Sequence, residues 1–328
     1  MRLSVVCHFQ GLLALLIAGS MLFPLGVSLI YGEGDAPAFV VAIVATAVFG
    51  LALRLPLRGH VQYVSRRESF AIVTLGWVLA SAFGALPFLL AGTCGSYVDA
   101  YFEAISGFTT TGASVLTDIE AQPRGILFWR DFTQWLGGMG IIVLFVAIMP
   151  ILGVGAAQMF EHEAPGPITE RLTPRIRDQA KSLWLIYVAI SALEVVLLKL
   201  RGLSLFDALT HAFGTMATGG YSPRNISIGA YGDPVAEFII TVFMAAAGVN
   251  FGLYYLLWRG RGLRVLRDRE FRLYVAIIGS ATTLVLFDLV LNTGQTVADA
   301  FRLAIFQVVS IQTTTGFATA DFNLWPPL

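Results

Sequence analysis

The chain has 328 residues, 56% hydrophobic and 13% charged, with 21 basic residues balanced by 21 acidic ones. Soluble domains carry about 25% charged residues, so this composition, with a mean hydropathy of +0.75, excludes a single soluble domain and indicates an all-α polytopic membrane protein. The zero net charge carries no information about partners, and no nucleic-acid partner is expected.

Apolar segments fall at roughly 11–30, 37–55, 70–92, 125–152, 182–200, 234–258 and 271–291. Each is long enough to cross a hydrocarbon core of about 30 Å at about 1.5 Å per residue. The first has no small-residue cleavage signature after it and reads as a retained helix. Cys7 and Cys94 have no metal-site spacing and are expected on opposite sides of the membrane, where they cannot pair.

Three shorter helical segments, near 98–108, 205–216 and 298–312, read as re-entrant half-helices. Asp99, Asp207 and Asp299 begin them, as capping and the helix dipole favour. Each is followed by a Thr/Gly strip: Thr109-Thr110-Thr111-Gly112-Ala113-Ser114, Ala217-Thr218-Gly219-Gly220-Tyr221-Ser222 and Thr313-Thr314-Thr315-Gly316-Phe317-Ala318. From Asp to the strip glycine is 13, 13 and 17 residues, so the third half-helix is expected to be about one turn longer. The repeat unit is helix, half-helix, strip, helix. Residues 1–56 form two extra N-terminal transmembrane helices, and 68–152, 180–258 and 270–328 are successive pore repeats.

Arginine sets the orientation. Arg54, Arg58, Arg66 and Arg67, then Arg171, Arg175, Arg177 and Lys181, then Arg259, Arg261, Arg264, Arg267, Arg269 and Arg272 mark three loops as cytoplasmic. The N-terminus is then cytoplasmic and all three strips lie toward the periplasm. Non-helical backbone at membrane depth is tolerated where it is buried in protein or lines a polar cavity. Carbonyl rings can replace a cation's water shell. The strips contain no carboxylate, which suits a weakly hydrated monovalent cation better than Ca²⁺ or Mg²⁺. A half-helix entering from outside aims the negative end of its dipole at mid-membrane, and the strip is expected to return outward in extended form, with glycine where a Cβ would be disfavoured.

Other residues read as structural. Gly137, Gly138 and Gly140 are expected to pack closely against the half-helix, and Gly248 and Gly252 read the same way. Asn250 is expected to make an interhelical hydrogen bond, Glu194 to sit near the interface with Lys199, Arg130 and Asp131 to pair locally, and His211 to be structural. No His-Glu-x-x-His, Gly-x-Ser-x-Gly or paired intramembrane Asp is present, so no enzymatic activity and no cofactor are expected.

Four stretches, Gly107–Ser114, Trp135–Val143, Ala217–Ser222 and Gln307–Phe317, together resemble the TrkH/KtrB branch of the Trk/Ktr/HKT potassium transporter superfamily, nearest the TrkH pattern. The resemblance runs along essentially the whole chain. It implies helix–re-entrant pore helix–helix repeats around a pore, a potassium-selective filter, potassium uptake, and a homodimer in the bacterial inner membrane. It also implies regulation by a cytosolic nucleotide-binding subunit of the TrkA type, with membrane lipid as the surroundings. Carried over by position, the K⁺-coordinating backbone is that of Thr110, Thr111 and Gly112, of Thr218, Gly219 and Gly220, and of Thr314, Thr315 and Gly316. In plant relatives a Ser at the first filter glycine goes with sodium transport, whereas Gly112 keeps the potassium pattern. The family has a second helix in the third repeat and a whole fourth repeat. The third unit here reaches only Asn323-Leu-Trp-Pro-Pro-Leu328, so a truncated chain is expected, with a non-conducting subunit or a sodium-permeable relative as the alternatives.

Overall fold

A computed structural model describes residues 1–54, 65–138, 140, 176–258 and 262–325. Expectations for the end of the fourth apolar segment (141–152), for Arg58, Arg171, Arg175, Arg259 and Arg261, and for the last three residues lie outside them. Every regular element described is helical. The chain divides into two compact units, Met1–Trp184 and Leu185–Leu328, with the boundary inside a helix.

The first unit holds α1 (Leu3–Ser20), α2 (Leu22–Tyr31), α3 (Ala36–Arg54), α4 (Arg66–Gly84), α5 (Leu86–Leu90), α6 (Tyr97–Phe108), α7 (Arg124–Gly138) and the start of α8 (Ile176–Leu200). The α1 helix packs on α3 and α4, α6 packs on α4 and α7, and α2 packs on α7. Helix α4 opens with a capping box: Ser65 Oγ accepts from the Glu68 N–H and the Glu68 carboxylate accepts from the Ser65 N–H. That carboxylate also holds the Arg2 guanidinium at 3.0 Å, fixing the start of α1. The Trp129 indole donates to the Gly84 carbonyl at 2.9 Å and meets Phe108 edge-on, which ties α4, α6 and α7 together at the end of the half-helix.

The second unit continues α8 and adds α9 (Leu205–Met216), α10 (Pro234–Ala247), α11 (Phe251–Trp258), α12 (Gly262–Arg267), α13 (Arg269–Thr293) and α14 (Val297–Gln312). Its apolar core joins Leu198, Ala208, Ile240, Met244, Phe306 and Phe317, so both half-helices α9 and α14 are built into it.

Five helical stretches among the described residues are long and apolar enough to cross a membrane: Leu3–Tyr31, Ala36–Arg54, Arg67–Leu90, Lys181–Leu200 and Arg269–Thr293. Large apolar side chains on them stay outside the protein interior, Ile30 at 81% exposure and Leu291 at 78%. In water this would be a liability. In lipid it is the outward face, since hydrocarbon is as apolar as leucine.

The sixth apolar segment departs from a continuous helix over 234–258. It breaks between Ala247 and Phe251. The carbonyls of Ala245 and Ala246 accept from the hydroxyls of Tyr274 (3.0 Å) and Tyr254 (2.6 Å), and that of Ala246 also from the Val249 N–H at 3.1 Å, so the break leaves those acceptors satisfied. Asn250 restarts the helix: its Oδ1 accepts from the Gly252 N–H at 2.9 Å. Among the described residues that local bond stands where an interhelical one was expected of Asn250.

Candidate ion-coordinating strips

Each half-helix starts in the same way. Ser96, Ser204 and Thr296 are the N-caps, and their hydroxyls accept from the N–H of Asp99, Asp207 and Asp299. Each hydroxyl in turn donates to that aspartate's carboxylate, at 2.8, 2.6 and 2.7 Å. The aspartates therefore sit in the first turn rather than at the cap itself, and the signature is Ser/Thr-x-x-Asp. The half-helices are 12, 12 and 16 residues long, the extra turn falling where the 17-residue spacing put it.

Each half-helix also ends in the same way, and here the structure adds what spacing did not. The first threonine of each candidate coordinating triplet is left-handed: Thr110, Thr218 and Thr314 have φ of 55°, 50° and 60°. Their N–H groups reach back three residues to Gly107, Thr215 and Ile311, each at 3.0 Å. The next N–H groups, of Thr111, Gly219 and Thr315, reach back five, to Ser106, Gly214 and Ser310 at 2.9–3.0 Å. This is the Schellman helix stop, which ordinarily takes glycine at the left-handed position. A β-branched residue there is a genuine outlier, costing roughly 1–3 kcal/mol, yet it occurs at the same place three times. The strip glycine two residues on is left-handed again: Gly112, Gly220 and Gly316 have φ of 77°, 70° and 86°. The strips are thus not simply extended. Two left-handed residues in three turn successive backbone groups in a way that an extended run, whose groups alternate from side to side, does not.

Hydroxyls brace the first and third strips alike. Thr109 and Thr111 Oγ1 are 2.8 Å apart, Thr313 and Thr315 Oγ1 2.7 Å. Ser106 Oγ donates to the Ala113 carbonyl and Ser310 Oγ to the Phe317 carbonyl, both at 2.6 Å. The second strip has Ala217, Gly219 and Gly214 at the matching places, without those hydroxyls. Within the second unit its Gly220 abuts the third strip so closely that a Cβ would lie 2.8 Å from the Thr315 carbonyl carbon. The segment after it holds the third strip's exit: the Gly229 N–H donates to the Ala318 carbonyl at 3.1 Å, and Ser227 Oγ accepts from the Ala318 N–H at 3.3 Å. Of the candidate coordinating residues, the six in the second unit are therefore brought side by side, while Thr110, Thr111 and Gly112 belong to the first unit.

Glycines at the ends of α7 and α10 press on the half-helix ends. A Cβ on Gly137 would meet the Phe108 carbonyl carbon at 2.8 Å, and one on Gly248 would meet Thr313 Cγ2 at 2.8 Å. The close packing expected of both glycines is present.

Several charged residues are placed differently from expectation. Arg130 is hydrogen-bonded beyond its neighbour. Its Nε donates to Glu103 Oε1 at 2.6 Å, across 27 residues of sequence, and both side chains are buried. Asp131 is buried with no hydrogen bond to its carboxylate among the described residues. Glu194, expected at the interface, is fully buried. The burial follows from register: Glu194 stands one helical turn before Leu198, which lies in the apolar core of the second unit. His211 is structural, as expected, but it is bonded to the strip: Nδ1 donates to the Asp207 carbonyl at 2.7 Å, leaving Nε2 to accept from Ser222 at 3.1 Å. Asp207 Oδ1 also accepts from the Tyr231 hydroxyl at 2.8 Å. Glu103 went unnoticed in the sequence because an isolated acidic residue in a short amphipathic helix carries no signal. Its signal is register: Glu103, His211 and Gln307 each stand nine residues before a strip glycine.

Residues 35–328 match the model of a family described as TrkH, cation transport protein. The chain belongs to the TrkH cation transport family. It is 41% identical over 332 aligned positions to the Trk system potassium uptake protein TrkH of Escherichia coli K12, covering 99% of this chain and 68% of that protein. It is 32% identical to TrkG, also a Trk system potassium uptake protein of that organism, over 99% of this chain and 68% of TrkG. The crystal structure of the potassium transporter TrkH from Vibrio parahaemolyticus superposes with a TM-score of 0.85 at 35% identity, covering 99% of this chain and 68% of that one. The TrkH-family fold, all-helical and multi-pass, is thereby shared.

Proposed function

We propose that this chain mediates potassium uptake across the bacterial inner membrane, as the pore-forming component of a Trk-type system. The observation that carries the reading is the threefold recurrence of one backbone conformation, a left-handed Thr followed two residues later by a left-handed Gly, at the end of each capped half-helix. A strained conformation kept at three separate places points to a backbone whose carbonyl directions matter. The carbonyls of Thr110, Thr111 and Gly112, of Thr218, Gly219 and Gly220, and of Thr314, Thr315 and Gly316 supply the K⁺ ligands in this reading, with no carboxylate in the strips to favour a divalent ion.

The relatives' naming as Trk system proteins supports a multi-component assembly. The specific form we propose is a homodimer with a cytosolic nucleotide-binding subunit of the TrkA type. Residues 68–152, 180–258 and 270–328 act as successive pore repeats behind two N-terminal helices, with the strips toward the periplasm and the N-terminus in the cytoplasm, as the arginine distribution favours.

The test is rubidium-tracer uptake in bacteria lacking their own potassium uptake systems, and in liposomes holding the purified chain. Potassium-competed uptake is expected, and Gly112→Ser is expected to lower the preference for potassium over sodium. Absence of flux in both settings would favour a non-conducting membrane subunit, and uptake with unchanged selectivity in the variant would sink the filter assignment.

A further inference from the structure

The residue nine positions before the strip glycine faces the strip's outward leg in the first two half-helices, and does so with an acceptor. Glu103 accepts from the Ser114 hydroxyl at 2.9 Å, the Val115 N–H at 3.0 Å and Arg130 Nε at 2.6 Å. A carboxylate only accepts, so Ser114 must point its proton at Glu103. That leaves a Ser114 lone pair for the Leu116 N–H, at 3.1 Å. In the second half-helix His211 Nε2 takes the Ser222 hydroxyl, and Ser222 Oγ accepts from the Arg224 N–H at 3.1 Å. The link is the same: acceptor, serine hydroxyl, then the backbone N–H two residues on. The third half-helix breaks the pattern. It has Gln307, whose buried Oε1 has no partner among the described residues, and Ala318 in place of serine. Its strip exit is held by Ser227 and Gly229 instead.

We propose that Glu103, held by Arg130, is a positioning residue that locks the first strip through Ser114 and Val115 and thereby sets its cation selectivity. This rests on the filter reading of the strips. Charge-assisted hydrogen bonds are short and strong, and both members of the pair are buried, so Glu103 is a fixed point against which the strip is aligned. Arg130 fixes it in turn from α7. His211 fills the same role without charge.

The test compares the full chain with Glu103→Gln, Ser114→Ala and Ser114→Thr, by hydrogen exchange of residues 113–116 and by the potassium-to-sodium ratio. The ratio is read both as uptake and as the difference in thermal stabilisation by the two ions, which needs no flux. Ser114→Ala leaves the Glu103–Arg130 pair intact, so it decides the matter if Glu103→Gln fails to fold. Exchange at Leu116, whose N–H loses its Ser114 acceptor, is expected to rise up to about tenfold in Ser114→Ala, as for loss of one hydrogen bond. The ion ratio is expected to fall several-fold, exchange of 219–224 to stay unchanged, and Ser114→Thr to behave as the parent. Unchanged exchange in folded Ser114→Ala overturns the proposal, and so does faster exchange with an unchanged ion ratio. If the parent chain neither takes up potassium nor is stabilised by it over sodium, the filter reading itself fails, and the selectivity role of Glu103 falls with it.

Discussion

Replacing Gly220 by alanine separates two kinds of strain that the strip glycines carry. At φ of 70° an alanine pays the left-handed penalty, roughly 1–2 kcal/mol. The added methyl would also lie 2.8 Å from the Thr315 carbonyl carbon and 3.3 Å from the Gly316 carbonyl carbon. Carbon–carbon contacts settle at about 3.5–4.0 Å, so the second and third strips must part by roughly 0.7 Å or more. The obstructing atoms are backbone and cannot swing aside as a side chain would. Overpacking of that kind costs typically 1–3 kcal/mol. Gly316→Ala is the matched control: its φ of 86° carries the same left-handed penalty, but no atom of the described residues lies within 4 Å of the new methyl. Gly220→Ala is therefore expected to be the less stable variant by about 1–3 kcal/mol, which is about 5- to 150-fold in an equilibrium constant. It is also expected to show the larger loss of potassium preference. Thermal unfolding of both variants in detergent, with rubidium uptake alongside, measures it. A Gly220→Ala protein as stable as Gly316→Ala would refute the close approach of the two strips.

Other expectations follow from buried and capped groups. Arg130→Met removes one partner of a buried ion pair 2.6 Å long and is expected to destabilise the chain by roughly 3–5 kcal/mol; a loss below about 1 kcal/mol in an unfolding titration would mean the pair is hydrated. Ser204→Ala and Ser96→Ala each delete a half-helix cap and should cost about 1 kcal/mol apiece, whereas Ser280→Ala, on an exposed face of α13, should stay within about 0.5 kcal/mol. Burial, with Glu103 and Asp99 adding to it, pushes the Cys94 thiol up to about 11. Only the thiolate reacts, so maleimide labelling of Cys94 should be negligible at neutral pH and rise toward pH 11; rapid labelling at pH 7.5 would contradict its burial.

Much of the fold was legible in linear features, because membrane spanning is a matter of length and hydropathy and both are local. The half-helices were legible through Asp spacing, down to the extra turn in the third. Their caps were misassigned by three residues, although Ser96, Ser204 and Thr296 stood in view at a fixed offset from the aspartates. The left-handed threonines were not legible. Threonine's ordinary preference lies elsewhere, and only the competing demand of the helix stop overrides it at Thr110, Thr218 and Thr314. The break at Gly248–Asn250 was read as packing because the sequence does not say where Tyr254 and Tyr274 place their hydroxyls.

The Thr/Gly strips themselves, their number, their company of short capped helices and their lack of carboxylates were written in residue order, because each depends on neighbours within about one helical turn. Which residues hold the strips was decided elsewhere. Arg130 reaches Glu103 across 27 residues, and Gly220 meets Thr315 across 95. Such pairings depend on how helices far apart in sequence come to rest against each other, and buried charge or close backbone approach at a given residue becomes defined only once they have.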